Sequence, residues 1–379
     1  MDFLLDERHL LLRKLFREFS INDVKPLAKE VDELERFPLE TVEKMKELRM
    51  FGISVAKEFS GSGADYLSYI LAIIELSKQC ATTGVILSAH TSLCVDPIAK
   101  FGSKDQKERY LHKLATGEYL GAFALTEPDA GTDASSQKTT AIDKGDFYEI
   151  TGSKIFITNA GYADVYIIFA LTEPSLGTKG ISAFIIEKDM PGFTIGKKEL
   201  KMGIKGSATC ELHFEKVKVS KENLLGKLNK GFGVALTTLD GGRIGIAAQA
   251  IGIALGAIDE TVKYVKERKQ FGRSISKFQN TQFVLADLRT KTEAAYLLVL
   301  RAAILKQEGK PFSKESAMAK LNAAEVAMEV TTKCLQLFGG YGYTREYPIE
   351  RMMRDAKITE IYEGTSEVQK MVISSYMLK

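Results

Sequence analysis

Asp164-Val165-Tyr166-Ile167-Ile168-Phe169-Ala170-Leu171 is the stretch that decides the fold class. Behind its single acid, the residues are β-branched, aromatic or aliphatic, the composition of a buried strand. Ile181 to Ile186 is similar, and Glu211-Leu212-His213-Phe214-Glu215 alternates polar with apolar, as a half-buried strand should. Turn formers separate these runs: Lys144-Gly145-Asp146, Pro174-Ser175 and Pro191-Gly192. The region from 121 to 230 therefore reads as an antiparallel sheet or small barrel. It lacks the strand–helix alternation of a doubly wound sheet.

On both sides of this region the pattern turns helical. Before it, Leu11, Leu15, Phe19 and Val24 trace an apolar face at spacings of three to five. Phe37-Pro38 and Ser60-Gly61-Ser62-Gly63 mark turns, and Ser103 opens a helix by capping its first amides. After it, Leu285, Leu288, Thr292, Ala295, Val299 and Ala302 recur at spacings of three and four. Ala317, Leu321, Ala324, Met328, Thr331 and Leu335 do the same. Gly309-Lys310-Pro311 and Gly339-Gly340 stop these two helices. The fold class is α+β, in three domains: a helical one over 1–120, the β domain over 121–230, and an antiparallel helical bundle over 231–379.

Composition narrows the function classes. Lys plus Arg is 52 against 49 for Asp plus Glu, an excess too slight for a nucleic-acid binder held by bulk charge. The opening Met1-Asp2-Phe3-Leu4-Leu5-Asp6-Glu7 is acidic and lacks a signal peptide's basic start. No run of about 18 apolar residues suggests a membrane span. Cys80, Cys94, Cys210 and Cys334 are far apart, and His9, His90, His112 and His213 lack ligand spacing, so no metal site is expected. Reduced structural thiols in a cytoplasmic protein are the natural reading.

Four segments stand out chemically. No G-x-G-x-x-G follows a strand, and there is no phosphate loop. Gly339-Gly340-Tyr341-Gly342-Tyr343 is a helix stop, or a place where another backbone or a phosphate approaches closely. Leu125-Thr126-Glu127-Pro128-Asp129-Ala130-Gly131-Thr132-Asp133 is a capped surface loop, or one offering Thr126 and Thr132 to a ligand. Arg268-Lys269-Gln270-Phe271-Gly272-Arg273, followed by Phe278-Gln279, is a solvated helix end or a pyrophosphate site. In Ile361-Tyr362-Glu363-Gly364-Thr365-Ser366-Glu367, Glu363 is a turn carboxylate, or a base whose proton affinity an apolar pocket raises.

Taken in order, these segments resemble the acyl-CoA dehydrogenase family over essentially the whole chain. The strongest marks are Leu125 to Pro128 with Gly131-Thr132-Asp133, Asp240-Gly241-Gly242-Arg243, Arg268 to Gly272, Phe338 to Gly342, and Ile361 to Thr365. The likeness is greatest to short-chain, butyryl-CoA-using members from anaerobic bacteria. The resemblance implies FAD-dependent desaturation of an acyl-CoA between its α and β carbons, run in reverse in some fermentations. It implies electron exchange with electron-transfer flavoprotein and a homotetramer.

Residue by residue, the resemblance makes Glu363 the base. Its backbone N–H is a donor to the thioester oxygen. Phe123, Ala124, Leu125, Thr126, Thr132, Phe156, Ile157 and Thr158 match segments lining the flavin. Arg268, Phe271, Phe278 and Gln279 match further flavin contacts. Gln336, Leu337, Phe338, Gly339 and Gly340 match a segment that reaches the FAD of a neighbouring subunit. Thr365, Ser366 and Glu367 match residues closing over the adenosine-pyrophosphate. Thr132, Asp240, Arg243, Tyr362 and Gly364 match substrate positions, and Ile86 to His90 matches the acyl-pocket helix. Many relatives carry Trp where Phe156 stands, and Gln where Glu367 stands. Two rival readings are an acyl-CoA oxidase, which usually carries a further C-terminal domain, and a nucleic-acid-binding relative, which should be strongly basic.

Overall fold

The computed structural model describes residues 5–378. Helices come first: α1 (Glu7–Phe19), α2 (Ala28–Glu33), α3 (Leu39–Glu47), α4 (Tyr66–Gln79), α5 (Ala81–Ser88), α6 (Asp96–Phe101) and α7 (Lys104–Thr116). A π-helical stretch over Ala89–Val95 joins α5 to α6. Ser103 caps α7 as expected, accepting from the Gln106 N–H while the Gln106 side chain accepts from the Ser103 N–H. The apolar face expected on α1 is displaced. Phe16 and Phe19 are buried, but Leu11 is 69 % exposed and Leu15 is exposed as well. The reason is a buried anchor on another face: Glu75 of α4 receives Arg13 Nε at 2.9 Å and Arg17 Nη2 at 3.2 Å, which turns Leu11 and Leu15 outward.

The strands are β1 (Gly121–Ala124), β2 (Thr140–Asp143), β3 (Phe147–Thr158), β4 (Val165–Leu171), β5 (Ile181–Glu187), β6 (Phe193–Lys198), β7 (Thr209–Ser220) and β8 (Leu224–Leu225). They form one sheet in the order β6-β7-β3-β2-β4-β5-β8, with β1 beside β4. Most pairings are antiparallel, but β1 runs parallel to β4, and β2 meets β4 in one parallel pair, Thr140 with Leu171. β4 is buried along nearly its whole length because strands flank it on both sides and the helices and the rest of the sheet cover its two faces. β3 is interrupted by register shifts between Ile150 and Gly152 and between Lys154 and Ile157. The second is a bulge, and Phe156 within it has a φ of 59°.

The chain then returns to helix: α8 (Gly231–Glu267), α9 (Gln279–Gln307), α10 (Ser313–Phe338), α11 (Ile349–Ile358) and α12 (Ser366–Met377). A small hairpin, β9 (Lys269–Gln270) with β10 (Arg273–Ser274), sits between α8 and α9. The N-terminal helices and the C-terminal bundle share one apolar core, in which Ile70 and Ile73 of α4 meet Ile251 and Ala254 of α8. Glycines make this possible. A Cβ at Gly252 would stand 2.5 Å from the Ile74 carbonyl oxygen, so only glycine lets the two backbones approach this closely. α8 is also long and apolar enough to cross a bilayer, contrary to expectation; its apolar window is entirely inside the protein, so it packs as a core helix. All four cysteines are buried and free.

One buried ion pair ties the loop after β1 to β3. Lys154 is fully buried and donates to Glu127 Oε1 at 2.8 Å, Gln137 Oε1 at 3.0 Å and the Leu125 carbonyl at 3.1 Å. Glu127 also accepts the Thr139 N–H at 3.1 Å. Lys154→Met would leave the buried Glu127 charge without its cation. We expect it to cost about 3–5 kcal/mol in unfolding free energy, with Glu127→Gln/Lys154→Met recovering part of that. Equal melting temperatures for Lys154→Met and wild type would contradict this.

Candidate active site

Glu363 lies in the short connection between α11 and α12. It and Gly364 are successive left-handed residues, with φ of 50° and 92°. Glycine tolerates this conformation, but a glutamate does so at a cost of ~1–2 kcal/mol. Thr365 then caps α12, its hydroxyl accepting the Val368 N–H at 3.4 Å. This backbone reversal turns the Glu363 side chain inward, against α8.

The carboxyl occupies the space that a side chain at position 242 would fill. A Cβ built on Gly242 would collide with Glu363 Oε2 and come within 2.9 Å of Leu93 Cδ2. Oε2 is buried and has no hydrogen-bond partner. Burial pushes the Glu363 carboxyl up to about 7, while the nearby positive charges of Arg243 and Lys320 pull the other way. The Glu363 N–H also lacks an acceptor among the described residues. A buried carboxyl oxygen and an amide at this turn are thus both left without partners among the described residues.

The surrounding groups are held in place. Tyr362 donates its hydroxyl to Gln249 Oε1, and Tyr66 donates to the Gly241 carbonyl at 3.1 Å. Arg243 is buried and pairs with Asp240 at 2.5 Å, and Asp240 also accepts from the Ser313 hydroxyl. Asp240 and Ser313 line a cavity of about 700 Å³ with Asp96, Lys306 and Lys310.

The strand residues reach the same region through Leu93. That side chain belongs to an apolar cluster with Phe123 and Leu125 of the β1 segment. The Thr126 carbonyl accepts the Ile155 N–H at 3.0 Å, so the loop after β1 is stitched to the β3 bulge. Ala124 and Ile157 are buried and Thr158 is half-buried, while the bulge leaves Phe156 59 % exposed. Thr132 is on the exposed part of the loop.

A second group assembles elsewhere. The Arg268 guanidinium lies 5.2 Å from the Tyr341 ring, and Phe271, 92 % exposed, makes an edge contact with Phe278 at 6.2 Å. Gln279, Gln336, Gly339 and Gly340 are exposed near them in sequence, and Leu337 packs on the core. The Phe338 ring is not offered to a ligand; it stacks on Tyr264 at 4.1 Å in the core. Arg268 stands 26 residues beyond Gly242, at the end of α8, which at 1.5 Å per residue is ~39 Å along the axis. The expected site residues therefore fall into two groups at opposite ends of the bundle.

Ser366 presents a buried hydroxyl without a partner, and Glu367 is exposed. Of Ile86 to His90, the imidazole is occupied by the fold. His90 accepts the Gly121 N–H at 3.0 Å and donates to the Leu114 carbonyl at 3.1 Å, and burial pulls it down to about 3. Ser88 does face α8: a Cβ at Gly245 would lie 2.5 Å from its hydroxyl oxygen. Leu93, Gln249, Lys320 and Gln369 were not anticipated. A lysine set among alanines in the α10 repeat is the one signal that pointed to any of them.

Family models match most of the chain: Acyl-CoA dehydrogenase, N-terminal domain, over 6–118; middle domain over 122–217; C-terminal domain over 229–378. A short-chain specific acyl-CoA dehydrogenase of Clostridium acetobutylicum is 60 % identical over 379 residues, covering 100 % of both chains. The structure of butyryl-CoA dehydrogenase from Megasphaera elsdenii has a TM-score of 0.98 at 51 % identity, over 100 % of both chains. A chain from a study of the electron transferring flavoprotein of Acidaminococcus fermentans, directed at flavin-based electron bifurcation, has a TM-score of 0.99 at 56 % identity, again over 100 % of both.

A carboxyl raised to about 7 binds its proton more tightly in the folded chain than in the unfolded one, where 4.5 is ordinary. Ionising it in the folded state costs stability progressively from pH 4.5 to 7, reaching about 3 kcal/mol. Glu363→Gln is therefore expected to be more stable than wild type above pH 7, by about that amount, and equal to it below pH 4.5. Denaturant unfolding across this range measures the difference; a gap independent of pH would contradict it.

Proposed function

Because the chain belongs to the acyl-CoA dehydrogenase family, we propose that it is a flavin-dependent dehydrogenase of short acyl-CoA thioesters, with butyryl-CoA and crotonyl-CoA as its substrate pair. The observation that carries this reading is the partnerless carboxyl of Glu363, buried against Gly242 and raised to about 7. An α proton of a thioester is only weakly acidic. A base desolvated into the neutral range is suited to take it, and acts within the general acid–base regime. The Glu363 N–H, without an acceptor among the described residues, would meet the charge that develops on the thioester oxygen. Such a donor is worth ~3 kcal/mol in the transition state. In the opposite direction the same carboxyl returns the proton, so either direction of flux uses one set of residues.

The donor set fits FAD. Phe156 presents an exposed aromatic face beside Thr158, and Leu125 and Thr126 are stitched to the same bulge. Among the described residues no carboxylate pairs with Arg268, which leaves a rigid guanidinium for a pyrophosphate. Bound there, FAD would supply the two-electron acceptor for the β hydride. Gly339, Gly340, Gln336, Phe271, Phe278 and Gln279 would complete the far part, with the buried Ser366 hydroxyl near the base. A single dinucleotide does not bridge ~39 Å along α8. We therefore assign the Arg268 group to the cofactor of a second copy, in a homo-oligomer that we take to be a tetramer. Electron-transfer flavoprotein is the electron partner, and the buried free thiols suit a cytoplasmic setting.

Short chains are favoured because α8 closes on its neighbours just past the base. Gly245 meets Ser88, and Gly252 meets the α4 backbone. Asp240, Arg243 and the lysine-bearing cavity beside them suit the CoA arm, and Gly364 lets the thioester lie close to the backbone.

Purified protein should be yellow and should bleach anaerobically with butyryl-CoA, more slowly with octanoyl-CoA. Glu363→Gln should keep the flavin and lose the bleaching. Full bleaching in that variant would remove Glu363 from its role, and rapid recolouring in air would favour an oxidase. Sedimentation should show an oligomer that dilution or Arg268→Met strips of FAD; a monomer retaining tight FAD would overturn the shared site.

A further inference from the structure

Lys320 lies on α10, in the stripe that packs toward α8 and α12, and it is fully buried. Its ammonium donates to the Gly364 carbonyl at 2.8 Å. Among the described residues no carboxylate comes within ion-pair distance of it. A buried cation without an ion-pair partner is costly. Glu363 is the group whose charge most favours the charged form of Lys320. Gln369, from α12, grips the same turn, donating to the Gly364 carbonyl at 2.8 Å and the Glu363 carbonyl at 3.3 Å.

We propose that Lys320 is a positioning residue for the proton-transfer step: with Gln369 it clamps the left-handed Glu363–Gly364 turn, and its charge sets the pH at which Glu363 becomes a base. This rests on Glu363 being that base. The clamp pins both carbonyls of the turn, which leaves the amides of the turn and the Glu363 carboxyl as its mobile-proton face. Two cations face that carboxyl: Arg243 from α8 and Lys320 from α10. Arg243 is already paired with Asp240, so its field is partly cancelled. Glu360 and Glu367 lie around Lys320 and also favour its charge. Tyr66 from α4 and Tyr362 are neutral at working pH, because burial drives both phenols well above their ordinary range. Asp96, near Tyr66, is paired with Lys306. Lys320 is therefore the cation facing the base that has no carboxylate within ion-pair distance among the described residues, whereas the larger pull of Arg243 is offset by its own pairing with Asp240. Burial also draws Lys320 itself down to about 8, so its charge is held in a range that other residues can influence.

The test uses holoenzyme of Lys320→Gln, Lys320→Met, Gln369→Leu and Glu363→Gln. Lys320→Gln keeps an N–H donor for the Gly364 carbonyl while removing the charge, and it carries the test if Lys320→Met does not fold. The first readout needs no turnover: the carboxylic C=O infrared band that Glu363→Gln lacks is titrated in substrate-free protein. The second is the pH profile of anaerobic bleaching by butyryl-CoA. Both lysine variants should move the infrared midpoint and the bleaching limb upward by about one pH unit. Gln369→Leu should slow bleaching at every pH without moving either midpoint. Unchanged midpoints in Lys320→Gln would overturn the proposal. Continued bleaching by Glu363→Gln would instead overturn the assignment of the base, an outcome the infrared titration does not depend on.

Discussion

The energy of desolvating one carboxyl governs the design of this protein's centre. Glu363 is placed where water does not satisfy it and where Gly242 leaves room for an oxygen but not for a methyl group. Putting it there requires a residue with a side chain to adopt a left-handed backbone, followed by a glycine that adopts one readily. The turn persists because its carbonyls are gripped from two helices and its following residue begins a capped helix. Strain, burial and unsatisfied polarity coincide at one residue, as expected where stability is given up for chemistry.

Helix α8 organises the rest. Its glycines admit three different neighbours: the Glu363 carboxyl at Gly242, Ser88 at Gly245, and the α4 backbone at Gly252. Each close approach replaces a side chain by direct backbone or side-chain packing. The length of α8 sets a second constraint. It carries Gly242, against which the Glu363 carboxyl packs, and Arg268 lies just past its far end, ~39 Å away along the axis. The two groups of expected site residues therefore stay apart within one chain.

The buried pair of Glu127 and Lys154 has a comparable part in the sheet. It registers the loop after β1 against the β3 bulge, so that Thr126, Phe156 and Thr158 are presented from one edge. The glutamate in that loop is therefore part of the scaffold, while the ring of Phe156 stays exposed.

The order of helices, sheet and helices was legible from local pattern alone, because a β-branched run such as Val165 to Leu171 and a three-and-four repeat such as Leu285 to Ala302 each encode their own periodicity. The segment around Glu363 was also visible, as an unusual carboxylate beside a glycine. What local pattern did not carry was which face of α1 is buried, since Glu75 in a distant helix decides it. It also missed the parallel placement of β1, the loss of the Phe338 ring to the core, and the part of Lys320 and Gln369 at the turn. All but the Gln369 contacts depend on a partner tens of residues away in the chain. The sequence by itself determined the element types and the chemistry available at Glu363. Only the tertiary structure decided that an oxygen of this carboxyl is buried without a partner and faced by a lysine, because desolvation and electrostatic field are properties of what surrounds a group in space.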